Sequence, residues 1–297
     1  MERILQSFKD LYKCEDVVKR HLWYALLMII PSMFGSMRYF VDKDTPKEVL
    51  LIGLIAMLVV GLLAIIPAFF NLGVWIDFIK DRLQGVTGIP RINMDTLKKG
   101  LAYFPLTFVW GIYFGLIFII LLFIPVIGLI SSIGGKHSDP LMLIGSMLLI
   151  MILAMVGVAL IFVLAPFFNY VVIKYVKLGH YTADMFNPFI LFAYMKKAFG
   201  STMLVMLKMF LVSVIVNFAI GMLNGAIILL LLEIGIIAGI VNGGSEIAMY
   251  SPWVILLVIL LATLAGTIQG YTRGLIGFAA ADNYIDVYKN EIEPYEE

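Results

Sequence analysis

The sequence predicts an all-α, polytopic integral membrane protein, with six transmembrane helices arranged as three repeated hairpins and joined by amphipathic interfacial linker helices. Three observations predict it. Of 297 residues, 62% are hydrophobic and only 14% charged, whereas a soluble domain carries about a quarter of its residues charged. Apolar runs of about twenty residues contain no charge that would give a helix a solvated face, which excludes a large soluble core. The third observation is a repeat: Phe69-Phe70-Asn71 returns as Phe167-Phe168-Asn169, and Lys98-Lys99 returns as Lys196-Lys197, each pair 98 positions apart. Two landmarks with one offset argue for duplicated units. A weaker third version ends the chain at Asp282-Asn283-Tyr284.

In chain order, residues 1–21 form a charged N-terminal segment with Ile4, Leu5, Phe8, Leu11 and Tyr12 at helical spacing, the pattern of an amphipathic helix. No signal-peptide cleavage pattern follows, so the first apolar helix is expected to remain as an anchor. Residues 22–92 read as the first hairpin. Its first apolar segment runs from about Leu22 to Phe40 with Pro31 at an expected kink. After the loop Val41 to Glu48, its second segment starts near Val49, passes Pro67 and leaves the hydrocarbon through Asn71, Trp75 and Lys80-Asp81-Arg82.

Residues 93–188 form a linker helix and the second hairpin. Asn93 to Lys99 is short and cappable by Asn93 or Asp95. The apolar segment Leu101 to Ile133 would span about 50 Å as one helix, against about 30 Å of hydrocarbon, so it must kink at Pro105 or Pro125, tilt or protrude. Following the loop Ser131 to Pro140, Leu141 to Val176 completes this hairpin. Residues 189–288 repeat the plan, with the linker Phe189 to Phe199, a fifth apolar region to Ile240 and a sixth from Pro252 to Ala281. Asn217, Gly221, Asn224 and Gly225 mark a bend or re-entrant turn in the fifth region, because unwound backbone needs polar company at membrane depth. The acidic tail is residues 289–297, of which Glu291 to Glu297 are expected to be mobile.

Charge placement sets orientation. Of the 21 Lys and Arg residues, fifteen fall on the side of the termini under six crossings, four on the opposite side, and Lys208 and Arg273 lie within apolar segments. This positive-inside bias places both termini in the cytoplasm and the chain in the cell (plasma) membrane. A five-crossing alternative would put the C-terminal end outside. The linker lysines, Lys98, Lys99, Lys196 and Lys197, are expected to meet anionic inner-leaflet headgroups, making membrane lipids the expected partners.

The Pro67-x-Phe69-Phe70-Asn71 exit, the basic run Ile79 to Gly85 closing on glycine and the short acidic-to-basic helix before the next span form one layout. That layout resembles a prokaryotic family of polytopic membrane proteins defined by a domain of unknown function. The resemblance covers about residues 65 to 205 and is best from Ala165 to Leu204. The family is itself distantly similar to the membrane domain fused to some glycerophosphodiester phosphodiesterases, although no catalytic domain accompanies it in this sequence. The resemblance implies topology and no activity.

Polar groups in membrane segments are costly and therefore informative. Asn217, Asn224, Glu233, Gln269 and Arg273 are candidates for a polar pathway along the fifth and sixth segments. Glu233 reads either as a residue near the outer interface or as an intramembrane carboxylate. Gly266, Gly270 and Gly274, every four residues, form a helix-packing face, with Arg273 able to reach the interface by its long side chain. Together with other glycine pairs, this face suits a compact bundle or a homo-oligomer. Asn71, Asn169 and Asn283 mark matching helix ends, where they would bond freed carbonyls or, more sharply, converge on a headgroup or small solute.

Near-neutral charge gives no footprint for nucleic acid. Cys14 is the only cysteine and His21, His137 and His180 lie far apart, so no catalytic, cofactor or metal site is expected. The functional expectation is a non-enzymatic, lipid- or protein-binding, membrane-organising component. A transporter or channel for ions or small solutes is the alternative.

Overall fold

In a bilayer every backbone amide and carbonyl must find its partner within its own segment, so long apolar runs become long helices. The computed structural model describes residues 2–37, 47–134, 140–241 and 252–295, and among them the chain is helical with no strand. The elements are α1 (Glu2–Leu11), α2 (Val17–Leu26), α3 (Ile29–Met37), α4 (Lys47–Leu83), α5 (Met94–Gly134), α6 (Pro140–Leu178), α7 (Ile190–Val241) and α8 (Pro252–Val287). A short 3-10 turn, Ala183–Phe186, precedes α7, and a π turn, Tyr288–Ile292, and a 3-10 turn, Glu293–Tyr295, follow α8. Among the described residues, four stretches are long and apolar enough to cross a membrane: Gly53–Leu83, Met94–Phe123, Ile144–Leu178 and Ile190–Met222.

Several expectations change on contact with the structure. The first apolar segment breaks at Leu27 and Met28 into two helices of 10 and 9 residues. The cause is Pro31, whose ring clashes with the carbonyl four residues back, so the break falls one turn before the proline. The first linker is not a separate element, because α5 runs unbroken for 41 residues from Met94. The second linker is separated from its span by non-helical backbone at Ala198 (φ −133°, ψ 28°), the one such residue described in α7, so Asn217 to Gly225 forms neither a bend nor a re-entrant turn. Asn71, Asn169 and Asn283 lie inside α4, α6 and α8 rather than at their ends. The loop Val41 to Pro46, Lys43 within it, Lys136, His137 and the loop from Asn242 to Ser251 lie outside the described residues, as does the side chain of Asn224.

The chain divides into two compact units, Met1–Ala102 with Leu207–Asn283, and Tyr103–Met206 with Tyr284–Glu297. The core of the first joins Leu11, Tyr24, Val74, Phe78, Ile89, Leu275, Phe278 and Ala281. Its packing depends on three glycines of α8. A Cβ on Gly274 would lie 2.0 Å from Tyr24 Oη, on Gly270 3.4 Å from Met28 Sδ and on Gly266 3.0 Å from Ser32 Cβ. Those partners are themselves four residues apart, so α8 offers a shallow groove that receives α2 and α3 across their break. In the second unit Trp110, Tyr103, Phe167, Tyr170 and Tyr288 are all fully buried, and Trp110 Nε1 donates to the Met185 carbonyl at 2.9 Å.

Candidate functional site

The N-terminal helix is docked rather than free. Ile4 and Leu11 are buried, and the segment after α4 clasps the α1–α2 turn: Gly88 N donates to Asp10 O at 2.9 Å, Thr87 Oγ1 to Lys13 O at 2.7 Å, and Arg20 Nη1 to Ile89 O at 2.9 Å. Gly88 is required there, with φ +95° and no room for a Cβ beside Cys14. Behind α1, Ser7 Oγ donates to Asp282 Oδ2 at 2.7 Å and Asn283 Nδ2 donates to Ala279 O at 2.7 Å. Arg82, its side chain 6% exposed, lies 3.5 Å from Asp282 and beneath the same cluster, with its guanidinium carbon 5.1 Å from the Phe78 ring centre. A cavity of about 480 Å³ lined by Glu2, Arg3, Gln6, Ser7, Asp10 and Asp282 opens there. Burial tends to raise the Asp10 carboxyl, but bonds from Lys13 and Gln6 and the charges of Lys13 and Arg82 hold it below its ordinary value.

Between α4 and the start of α5 a second polar cluster forms. Lys99 pairs with Asp77 on the preceding helix, and Thr96 Oγ1 donates to Asp77 Oδ2 at 3.1 Å. Asn93 caps α5, its Oδ1 accepting from Thr96 N at 3.0 Å. Gly73 and Gly100 bring the two backbones together, since a Cβ on either would meet a carbonyl oxygen, of Thr96 or Phe69, at 1.8 Å.

The second stretch is closed by aromatics. Tyr170 and Thr202 hydroxyls are 2.6 Å apart, and Thr202 also donates to Ala198 O. The acidic tail is pinned as far as Tyr295, contrary to the expectation of mobility: Ser201 donates to Glu291, Lys177 pairs with Glu293 at 2.5 Å and Lys197 Nζ donates to Tyr295 O at 3.2 Å.

These contacts sort the linker lysines. Lys99 and Lys197 are held by the protein, Lys98 pairs at 3.2 Å with Asp95 with both side chains exposed, and Lys196 is exposed with no partner among the described residues. No hydrogen bond joins the candidate pathway residues to one another among the described residues. Asn217 Nδ2 donates to its own helix at Ser213 O, 2.7 Å away, Glu233 and Arg273 are exposed, and Gln269 is half-buried with no hydrogen bond among the described residues. Of the matched asparagines, Asn169 donates to Pro166 O at 2.9 Å and Asn283 bonds Ala279 O within their helices, while Asn71 Oδ1 is buried without a partner among the described residues.

Asp77, Thr96, Arg82, Ser7 and Asp282 escaped sequence reading as a set, because their partners lie one helix or nearly the whole chain away. Among the described residues no group of three or more His, Cys, Asp or Glu is placed to hold a metal ion. Comparison of the chain with protein-family profiles, curated proteins and solved structures gives no match.

Proposed function

We propose that this chain is a non-enzymatic, multi-pass protein of the cell membrane that works by holding lipid against its helices, with six crossings in three hairpins and both termini cytoplasmic. On this reading it sits with the prokaryotic family of polytopic membrane proteins that its repeated exit motif resembles. One observation carries the reading. In the four spanning stretches only 6%, 12%, 6% and 11% of the residues in the most apolar window are buried. Helices with so few residues buried within the chain have lipid, or another membrane protein, as their packing partner.

The burial argues less well for a pore within one chain, which would need spanning helices packed around polar side chains. Asn217 is satisfied by its own helix, and Gln269 and Arg273 make no bond to it or to each other. The lysine contacts refine the lipid-facing set to Lys98 and Lys196, with Lys99 and Lys197 acting in the protein's own packing.

The test is reconstitution in vesicles of mixed neutral and anionic phospholipid, followed by mild detergent extraction and native mass spectrometry of retained lipid. Anionic lipid should be enriched over its bulk fraction, and Lys98→Glu with Lys196→Glu should abolish the enrichment. Ion or solute flux above that of empty vesicles, lost on Gln269→Ala and Arg273→Ala, would overturn the reading in favour of transport.

A further inference from the structure

Within the second unit, a groove of about 450 Å³ follows α6 and ends on two polar side chains. Its wall includes Val158, Phe162 and Ala165 of α6 and Met206 of α7, and its foot includes Asn169 and Tyr284. From Val158 to Asn169 is eleven helical steps, or about 16 Å, which matches half of the roughly 30 Å hydrocarbon thickness. That is the depth of one leaflet. A second apolar hollow along α6 shares Val158 and Phe162 and continues toward Met151.

The foot is what makes this a site rather than a bare apolar face. Tyr284 is only 6% exposed, yet its hydroxyl has no hydrogen-bond partner among the described residues, and its ring meets that of Tyr170 edge-on at 6.0 Å. A phenol hydroxyl left without a partner against hydrocarbon is costly. Asn169 donates its amide to Pro166 O, which leaves Oδ1 as an acceptor with no donor among the described residues. One free donor and one free acceptor thus stand at the end of an apolar channel one leaflet deep.

We propose that this groove binds one acyl chain of a glycerolipid, with the Tyr284 hydroxyl donating to the ester carbonyl at the head of the chain. The hydrocarbon lies along Val158, Phe162 and Ala165. Asn169 Oδ1 accepts from a hydroxyl of the lipid backbone where one is present, so a lipid with a free glycerol hydroxyl binds more tightly than one with both neighbouring positions esterified. The site rests on the lipid-holding reading above and gives it an address, distinct from the headgroup contacts of Lys98 and Lys196.

The experiment uses the full chain in vesicles of phosphatidylcholine doped with a phosphatidylcholine carrying a photoactivatable diazirine on one acyl chain. After irradiation, labelled peptides are located by mass spectrometry. Label should concentrate on residues 158–165. It should fall several-fold in Ala165→Trp, which fills the groove, and about fivefold in Tyr284→Phe, the loss expected for one neutral hydrogen bond. Tyr284→Phe keeps the ring packing, so it remains informative if Ala165→Trp fails to fold. Label spread evenly over all exposed apolar helices, or unchanged in Tyr284→Phe, would overturn the proposal. Uniform label alongside retained anionic-lipid enrichment would sink the groove alone and leave the lipid-holding function intact.

Discussion

Two stretches 98 residues apart carry the same Phe-Phe-Asn and Lys-Lys landmarks and are closed by different chemistry. In the first, residues 67–99, backbone meets backbone at Gly73 and Gly100, and Asp77 anchors both Thr96 and Lys99. Ninety-eight positions on, Val171 stands for Gly73, Tyr175 for Asp77, Tyr194 for Thr96 and Ala198 for Gly100. Without the glycines the backbones cannot approach in the same way, and the space is filled by rings: Tyr170 lies against Tyr194 and Tyr288 at 5.8 and 6.3 Å. Without the aspartate, Lys197 has no carboxylate on the preceding helix and turns to the Tyr295 carbonyl of the tail. Two stretches with the same landmarks therefore settle their packing through different local contacts.

The largest effect expected from breaking this contrast lies in the glycine contact. Gly100→Ala drives a methyl group against the Phe69 carbonyl and should cost about 3 kcal/mol in thermal unfolding in detergent. In the second unit Gly200 faces open space, with nothing within 4 Å of where a Cβ would stand, so Gly200→Ala should stabilise by about 0.5 kcal/mol through helix propensity. Equal responses at the two sites would erase the distinction between backbone packing and ring packing.

Next in size is the ion pair. Asp77→Ala strands Lys99, while Thr96 keeps Arg91 O and Asn93 Oδ1 as acceptors, and because the Lys99 side chain is 40% exposed while Asp77 is 12% exposed, the cost should be about 2 kcal/mol rather than that of a fully buried pair. Tyr175→Phe, at the matching position, should cost under about 1 kcal/mol. Tyr170→Phe removes the bond to Thr202 but leaves Thr202 bonded to Ala198 O, and should cost about 1 kcal/mol in the same assay.

The smallest effect is pH dependence at the second connection. Burial raises the Asp184 carboxyl, yet the Lys174 ammonium at 2.6 Å more than offsets it and holds the group below its ordinary value. A depressed folded-state value contributes stability above the unfolded pKa and loses it as pH falls through the folded one. With Asp184 46% exposed, solvent screening limits that contribution to a few tenths of a kcal/mol. Asp184→Asn should flatten the unfolding midpoint below about pH 4 by that amount, and a larger change would mean that this exposed pair organises more than its own loop.

Long, apolar, charge-poor runs make the helices and their membrane character legible, since nothing else satisfies the backbone of such a stretch. The break before Pro31 is legible in kind and displaced by one turn, because a proline disturbs the residues before it. Ala198 carries no sequence mark of a kink. It bends where the first stretch, with glycine at the matching position, stays straight, so composition alone points the wrong way. The Asp77–Thr96–Lys99 cluster joins residues on two helices, and no periodicity within either helix announces it. The tail is misleading because a run of glutamates reads as solvated until Ser201, Lys177 and Lys197 are found opposite it. The α8 glycines show the reverse case, a spacing whose packing partners at Tyr24, Met28 and Ser32 only the structure supplies.

The lipid-facing character of the spanning helices is tested most directly by nitroxide labels at Leu58, Ile119, Leu148 and Ile215, each at least half exposed, on a Cys14→Ser background in phospholipid vesicles. Relaxation by oxygen and by a water-soluble nickel chelate reports what surrounds each label. High oxygen access with low nickel access at all four is the predicted result. High nickel access at two or more would place water along these helices and contradict a protein whose spans are packed by lipid.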